Sequence, residues 1–286
     1  MSPLRQNKIT PALLRRYPLP AAGRGGKDER GSVVIAAGAP QVPGAAILAA
    51  TAALRAGAGK LKIATAQQTI STVAVAMPEA LVLPFEELQK NVEDADAVVL
   101  GPGMLDERQC LELLGAVLKR MQCPILLDAA AITALAQQPE LLKQSSAQAV
   151  LTPHYGEMAR LLHIDRKDIE ESPAAYAMQA ARDFGAVVAL KAADTYVATP
   201  QGELYCNRAG TPGLATSGSG DTLAGIIGGL LARGLGATAA TVWGVFLHAR
   251  AGEELTRKIG IGFLARELPA EIPRLMRRLS GKNTNR

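Results

Sequence analysis

Residues 207–234 read NRAGTPGLATSGSGDTLAGIIGGLLARG, a Gly/Ser turn that runs straight into an apolar stretch of helical length. Ser217-Gly218-Ser219-Gly220 lets the backbone turn tightly and aim several N–H groups at one point. An apolar helix is expected to start just after it, near Asp221. A helix N-terminus adds partial positive charge, so the natural occupant of this turn is an anion, phosphate above all. Asp221 reads in two ways from the residues alone. It is either an N-cap behind a Gly-rich turn, or a base that takes the proton of a hydroxyl as a phosphoryl group is transferred.

Working outward from this turn, short apolar β-type runs alternate with longer Ala/Leu/Gly-rich helical stretches from about residue 31. That alternation predicts βα units around a mostly parallel sheet, an α/β fold. Strands are expected at Val33–Gly38, Leu61–Thr65, Ala97–Gly101, Pro124–Asp128, Ala149–Pro153 and Ala186–Lys191. Helices are expected near residues 44–56, 67–76, 106–120, 155–162 and 172–184. After Lys191, Thr195–Thr199 and Glu203–Asn207 flank Pro200-Gln201-Gly202 and read as a β-hairpin. The last third is helical, over roughly 221–233, 237–256 and 266–279. The Gly and Ala in GAAILAATAALRAGAGK point to close helix packing. In open α/β sheets ligands bind outside the carboxyl ends of the strands, so the functional residues are expected there.

At 286 residues and 48% hydrophobic, the chain can bury one large core. The expected organisation is a basic extension over residues 1–30, one catalytic domain over 31–280 and a tail over 281–286. Residues 1–30 carry seven Lys/Arg against two acids and residues 266–286 carry six against two, which leaves residues 31–265 net acidic within a total of +5. The basic charge therefore sits in ends that read as flexible, and with aromatics at 3% no stacking platform for nucleic acid is expected. The N-terminus lacks the apolar core of a signal peptide, and no apolar run is long enough to span a bilayer. Cys110, Cys123 and Cys206 have neither CxxC spacing nor an even count, so neither a disulfide framework nor a zinc site is expected. A soluble cytoplasmic protein with no membrane partner is the expectation.

Several segments in order narrow this further: VPGAAILAATAALRAGAGKLKIAT, GPGM at 101–104, LLDAAAITAL at 126–135, TPHYGEMARLL at 152–162, KAADTYVATPQGELYCN at 191–207 and PGLATSGSGDTLAG. From about residue 30 onward the chain resembles the ADP/ATP-dependent NAD(P)H-hydrate dehydratases, the carbohydrate-kinase-related branch of the ribokinase superfamily. The resemblance implies a ribokinase-like three-layer α/β/α fold with Asp221 as catalytic base and Ser217, Gly218, Ser219 and Gly220 as an anion hole. It also implies that Ala46, Gly103, His154 and Asp221 contact the hydrated dinucleotide, and that Lys191, Ala192, Ala193, Asp194, Thr195 and Gly220 bind ADP or AMP. Read as residues, His154 is equally a helix cap, Glu157 is a helix-start acid or an organiser of magnesium and phosphate, and Ala46 and Gly103 are turn and packing residues. Asp128 either reaches a metal or caps a helix, and no metal ligands are assigned. The sequence departs from the family pattern at Ala192, where Gly is usual, at Ser217 and Ser219 within Gly-Gly-Thr-Gly-Asp, and at Ala209-Gly210-Thr211.

The activity implied is dehydration of (S)-NAD(P)H-hydrate to NADH or NADPH, with ADP or ATP as phosphoryl donor, Mg2+ as cofactor, and phosphate with AMP or ADP released. A separate epimerase is the expected functional partner, because no epimerase-like domain fits before residue 31, and a homotetramer is the expected assembly. Two alternatives are a vitamin-type kinase of the hydroxyethylthiazole or pyridoxal kind and a non-catalytic nucleotide sensor. Retention of Lys191, Gly220 and Asp221 argues against the sensor.

Overall fold

The computed structural model describes residues 6–20 and 26–279; the expected tail over 281–286 lies outside them. Among the described residues ten strands form one sheet: β1 Asn7–Lys8, β2 Ser32–Ala36, β3 Lys60–Thr65, β4 Leu81–Pro84, β5 Ala97–Leu100, β6 Ile125–Leu127, β7 Ala149–Leu151, β8 Val187–Leu190, β9 Thr195–Ala198 and β10 Leu204–Asn207. Their order is β1-β10-β9-β8-β7-β6-β5-β2-β3-β4. Pairing is parallel from β4 through β8, and β9 runs antiparallel between β8 and β10 as the expected hairpin.

Successive strand residues point to opposite faces, and both faces are covered. Val33 and Ile35 of β2 pack with the helices Gly44–Ala56, Ser219–Ala232, Ala237–Ile259 and Leu268–Leu279. Val34 and Ala36 pack on the other side with Glu107–Leu118, Ala130–Leu135, Tyr155–Leu162 and Pro173–Phe184. The result is the three-layer α/β/α arrangement that the resemblance implies. The close packing expected of the Gly/Ala-rich helices is real at Gly225, where a Cβ would lie 2.1 Å from the Ala49 carbonyl oxygen of the neighbouring helix.

The basic ends differ from expectation. Residues 7–17 are part of the domain: β1 adds to β10 in parallel, Ile9 N–H donates to the Cys206 carbonyl at 2.9 Å, and Ile9, Leu13 and Leu14 are buried. The Trp243 indole N–H donates to the Tyr17 carbonyl at 2.7 Å. The apolar residues of IXXXLL within this basic stretch supply enough buried surface to order it, which net charge alone does not reveal. Of the C-terminal basic stretch, Leu268–Leu279 is a docked helix, with Ile272 and Leu275 buried and Arg278 paired to Glu254 at 3.0 Å.

Candidate active site

Strand order reverses between β2 and β5, since the chain proceeds from β2 to β3 and β4 on one side and from β5 to β8 on the other. This switch point opens a crevice at the carboxyl edge. A cavity of about 960 Å³ lies there, lined by residues following β2 (Gly38), β3 (Gln67), β4 (Glu86) and β5 (Met104, Arg108). Gly103, just before the lining residue Met104, turns at φ +63, where a Cβ would meet that of Ala45 at 2.2 Å and the Gly38 Cα at 3.5 Å. Ala46, expected as a substrate contact, is fully buried in the first turn of Gly44–Ala56. Its methyl sits 3.4 Å from where a Gly38 Cβ would be, so Ala46 shapes the Gly38 turn from beneath and presents no surface of its own.

The 217–221 segment turns as its composition demands. Gly218 caps the helix Ser219–Ala232 in the left-handed region at φ +86, and no side chain caps that helix start. First-turn N–H groups without a side-chain cap are what an anion uses. Asp221 stands in the first helical turn and is not the N-cap, which removes the capping reading of that residue. Burial pushes its carboxyl up to about 6, with the Asp128 carboxylate adding to the rise, Lys191 opposing it and Glu157 adding again. Such a group is ionised at neutral pH and is a stronger base than an ordinary aspartate. Ser219 already has a partner for its hydroxyl. Its side chain is buried and its Oγ lies 2.9 Å from His248 Nε2, which also lies 3.0 Å from the Ser219 carbonyl. The turn therefore offers an anion its backbone and the exposed Ser217, not the Ser219 hydroxyl.

Lys191, at the end of β8, donates to Asp128 Oδ1 at 2.7 Å and lies 3.7 Å from Glu157 Oε2. Burial alone would lower its pKa, but the carboxylates of Asp128, Glu157 and Asp221 outweigh that and hold the ammonium above its ordinary range. A Cβ on Gly220 would lie 3.5 Å from Lys191 Nζ, so the lysine faces the first turn of Ser219–Ala232. Asp128 also accepts from Thr152 Oγ1 at 2.7 Å. Its carboxylate does not cap the following helix Ala130–Leu135, whose N-cap is Ala129; it holds the lysine. Ala192, Ala193 and Asp194 make the turn into β9, which Thr195 opens, and Asp194 pairs with Arg208 at 3.4 Å.

His154 is the N-cap of Tyr155–Leu162. Its Nδ1 accepts from the Gly156 and Glu157 N–H groups at 2.9 and 3.1 Å, and Glu157 Oε2 accepts in return from the His154 N–H at 2.8 Å. With Nδ1 accepting and burial lowering its pKa, the half-exposed ring is neutral and carries its proton on Nε2, 3.4 Å from Glu157 Oε1. Along the edge, Gly103, Asp128, His154 and Lys191 follow β5, β6, β7 and β8, Thr195 begins the antiparallel β9 and Asn207 ends β10, strands adjacent in the sheet. Two participants escaped sequence reasoning. His248 lies 29 residues from Ser219 in a helix with no motif of its own, and Asn207 is the last residue of an otherwise apolar strand.

A family model described as NAD(P)H-hydrate dehydratase matches residues 33–274. The chain belongs to this family. An ADP-dependent (S)-NAD(P)H-hydrate dehydratase of Xanthomonas campestris is 46% identical, over 96% of this chain and 98% of that one. A bifunctional NAD(P)H-hydrate repair enzyme, Nnr, of Moorella thermoacetica is 37% identical over 89% of this chain, which matches 51% of that enzyme. Among solved structures, the ADP/ATP-dependent NAD(P)H-hydrate dehydratase of Bacillus subtilis co-crystallized with ATP/Mg2+ superposes with a TM-score of 0.88 at 30% identity, covering 97% of this chain and 100% of that one. The resemblance carried by the ordered motifs and the ribokinase-like layering therefore both hold for this NAD(P)H-hydrate dehydratase family member.

Proposed function

We propose that the chain is an ADP-dependent (S)-NAD(P)H-hydrate dehydratase, a hydro-lyase that returns hydrated NADH and NADPH to their working forms. The observation that carries the reading is Asp221, a half-buried carboxylate with its pKa raised to about 6 in the first turn of a helix that no side chain caps. The neighbouring backbone turn suits a phosphoryl group, and Asp221 is placed to take the proton of the hydroxyl that attacks it. Oxygen of the ring hydroxyl bonds to the terminal phosphorus, the bond to the departing AMP breaks, and the hydroxyl becomes a phosphate ester. The lone pair of the ring nitrogen then expels phosphate from the adjacent carbon, and loss of a proton from the next carbon restores the dihydronicotinamide. Ala46, Gly103, His154 and Asp221 are the residues assigned to the hydrated dinucleotide. Lys191 to Thr195 and Gly220 are assigned to the nucleotide.

Among the described residues no group of three or more His, Cys, Asp or Glu side chains forms a metal cage. This fits a magnesium that keeps waters and is held mainly by nucleotide phosphates, with Asp128, Glu157 and Asp221 the carboxylates available to it. Bound there, it would neutralise charge on the phosphates. A separate epimerase is the proposed partner, an assignment supported by the match of this chain to about half of a bifunctional repair enzyme. The proposed setting is the cytoplasm as a homotetramer. No helix among the described residues is long and apolar enough to cross a membrane, and the three cysteines are free and buried.

The deciding experiment follows reduced-nicotinamide absorbance while protein, magnesium and hydrated NADH are mixed with ADP, and separately with ATP. A rise that needs nucleotide establishes the dehydration and names the donor. A flat trace from folded protein defeats the reading and returns the vitamin-type kinase.

A further inference from the structure

The last residue of β10, Asn207, is 2% exposed, and its Oδ1 is buried with no hydrogen-bond partner. Its Nδ2 donates to the Ala209 carbonyl at 2.9 Å, and because a carbonyl only accepts, that bond fixes the amide orientation and leaves the oxygen as the orphan. A buried acceptor without a donor is uncommon, since it forfeits the hydrogen bond that water gave it in the unfolded chain. Its direction follows from strand alternation. Tyr205, two residues earlier, belongs to the core beneath Ser219–Ala232 and Ala237–Ile259, as does Val197 of β9. Asn207 and its cross-strand partner Thr195 therefore face that same layer, as does Lys191, two residues beyond Ala189 of the same core. All three stand at the carboxyl edge where the Gly218 turn begins its helix.

We propose that Asn207 recognises the nucleoside half of the nucleotide, its Oδ1 accepting a hydrogen bond from a ribose hydroxyl or from the adenine amino group. The inference rests on the nucleotide site proposed above. The chemistry excludes the phosphates as partner: at neutral pH they are essentially acceptors, whereas a carbonyl oxygen needs a donor. The donors on ADP are its two ribose hydroxyls and its exocyclic amine.

The test is calorimetric binding of ADP, AMP, 2′-deoxy-ADP, 3′-deoxy-ADP and IDP to the full chain and to Asn207→Leu, with Asn207→Ala as a second variant should the first misfold. ADP and AMP should each bind about tenfold more weakly to the variants. One analogue, the one lacking the partnered donor, should bind the wild type as weakly as ADP binds the variant, and should lose nothing further on substitution. Loss at 2′-deoxy- or 3′-deoxy-ADP names a hydroxyl, and loss at IDP names the amine. ADP affinity within twofold of wild type in both variants overturns the proposal, as does weakening of ADP with AMP unchanged. Wild type that binds ADP without dehydrating the cofactor defeats the dehydratase reading and leaves this one standing; wild type that binds no ADP defeats both.

Discussion

Lys191 Nζ donates to Asp128 Oδ1 at 2.7 Å, joining the ends of β8 and β6 across the carboxyl edge, with Asp128 3% exposed in its side chain. Removing one partner of such a pair leaves a charge with little solvent to receive it. Asp128→Ala leaves Lys191 with Glu157 at 3.7 Å and Asp221 as its remaining counter-charges. Denaturant unfolding should show a loss of roughly 3 kcal/mol, and ADP should bind more weakly because the ammonium is no longer aimed. Asp128→Asn, which keeps an acceptor, should fall between. An Asp128→Ala protein as stable as wild type would show that the pair does not hold this edge.

Asp221→Asn should abolish turnover while leaving ADP affinity within a few-fold, because the backbone turn and Lys191 remain. For the wild type, kcat/KM should fall as pH drops through about 6, where Asp221 takes up a proton. A profile flat through that range would remove Asp221 from the role of base.

Much of this arrangement was legible because most strands are short apolar runs bounded by Gly, Pro or Asp, and the Gly218 turn announces its own helix. What escaped has physical reasons. β4 is a four-residue run closed by Pro84 with Leu81 57% exposed at the sheet edge, and a proline in so short an apolar run argues against a strand. β1 is two residues long and exists only because β10 offers it an edge. The pairing of Asp128 with Lys191 spans 63 residues and depends on strand order, which local pattern does not encode. His154 and Glu157 were each readable as helix-start residues, but their reciprocal hydrogen bonds were not, because they depend on where the helix begins.

Gly218 and Gly234 have nearly the same backbone, at φ +86 and +89, in different surroundings. A Cβ on Gly218 would lie 2.4 Å from Leu48 Cδ1 and 3.2 Å from the Ala265 Cβ, whereas one on Gly234 meets nothing within 4 Å. Gly234→Ala should cost only the left-handed backbone penalty, about 1–2 kcal/mol, with KM for the nucleotide unchanged. Gly218→Ala should cost more in unfolding experiments and raise that KM by an order of magnitude or so, since the displaced turn no longer converges its N–H groups. Equal effects at the two positions would mean that the turn is not the anion site.

His248 and Asp221 should bend the pH dependence of stability in opposite directions. Burial, only partly offset by its bond to the Ser219 carbonyl, depresses His248 to about 4 from an ordinary 6.5. The unfolded chain therefore binds more protons between those values, and this contribution to stability is present above pH 6.5 and lost as pH falls towards 4. Asp221 is raised from 3.8 to about 6, so the folded chain binds the extra proton there and stability declines as pH climbs through that range. The two slopes oppose each other in the wild type. Asp221→Asn should raise the unfolding midpoint at neutral pH and make its fall on acidification steeper. His248→Gln, which keeps a donor for Ser219 without a titrating ring, should flatten that fall. Unfolding midpoints collected across the interval for all three proteins check both signs, and a His248→Gln curve parallel to wild type would mean that the ring is not held neutral against Ser219.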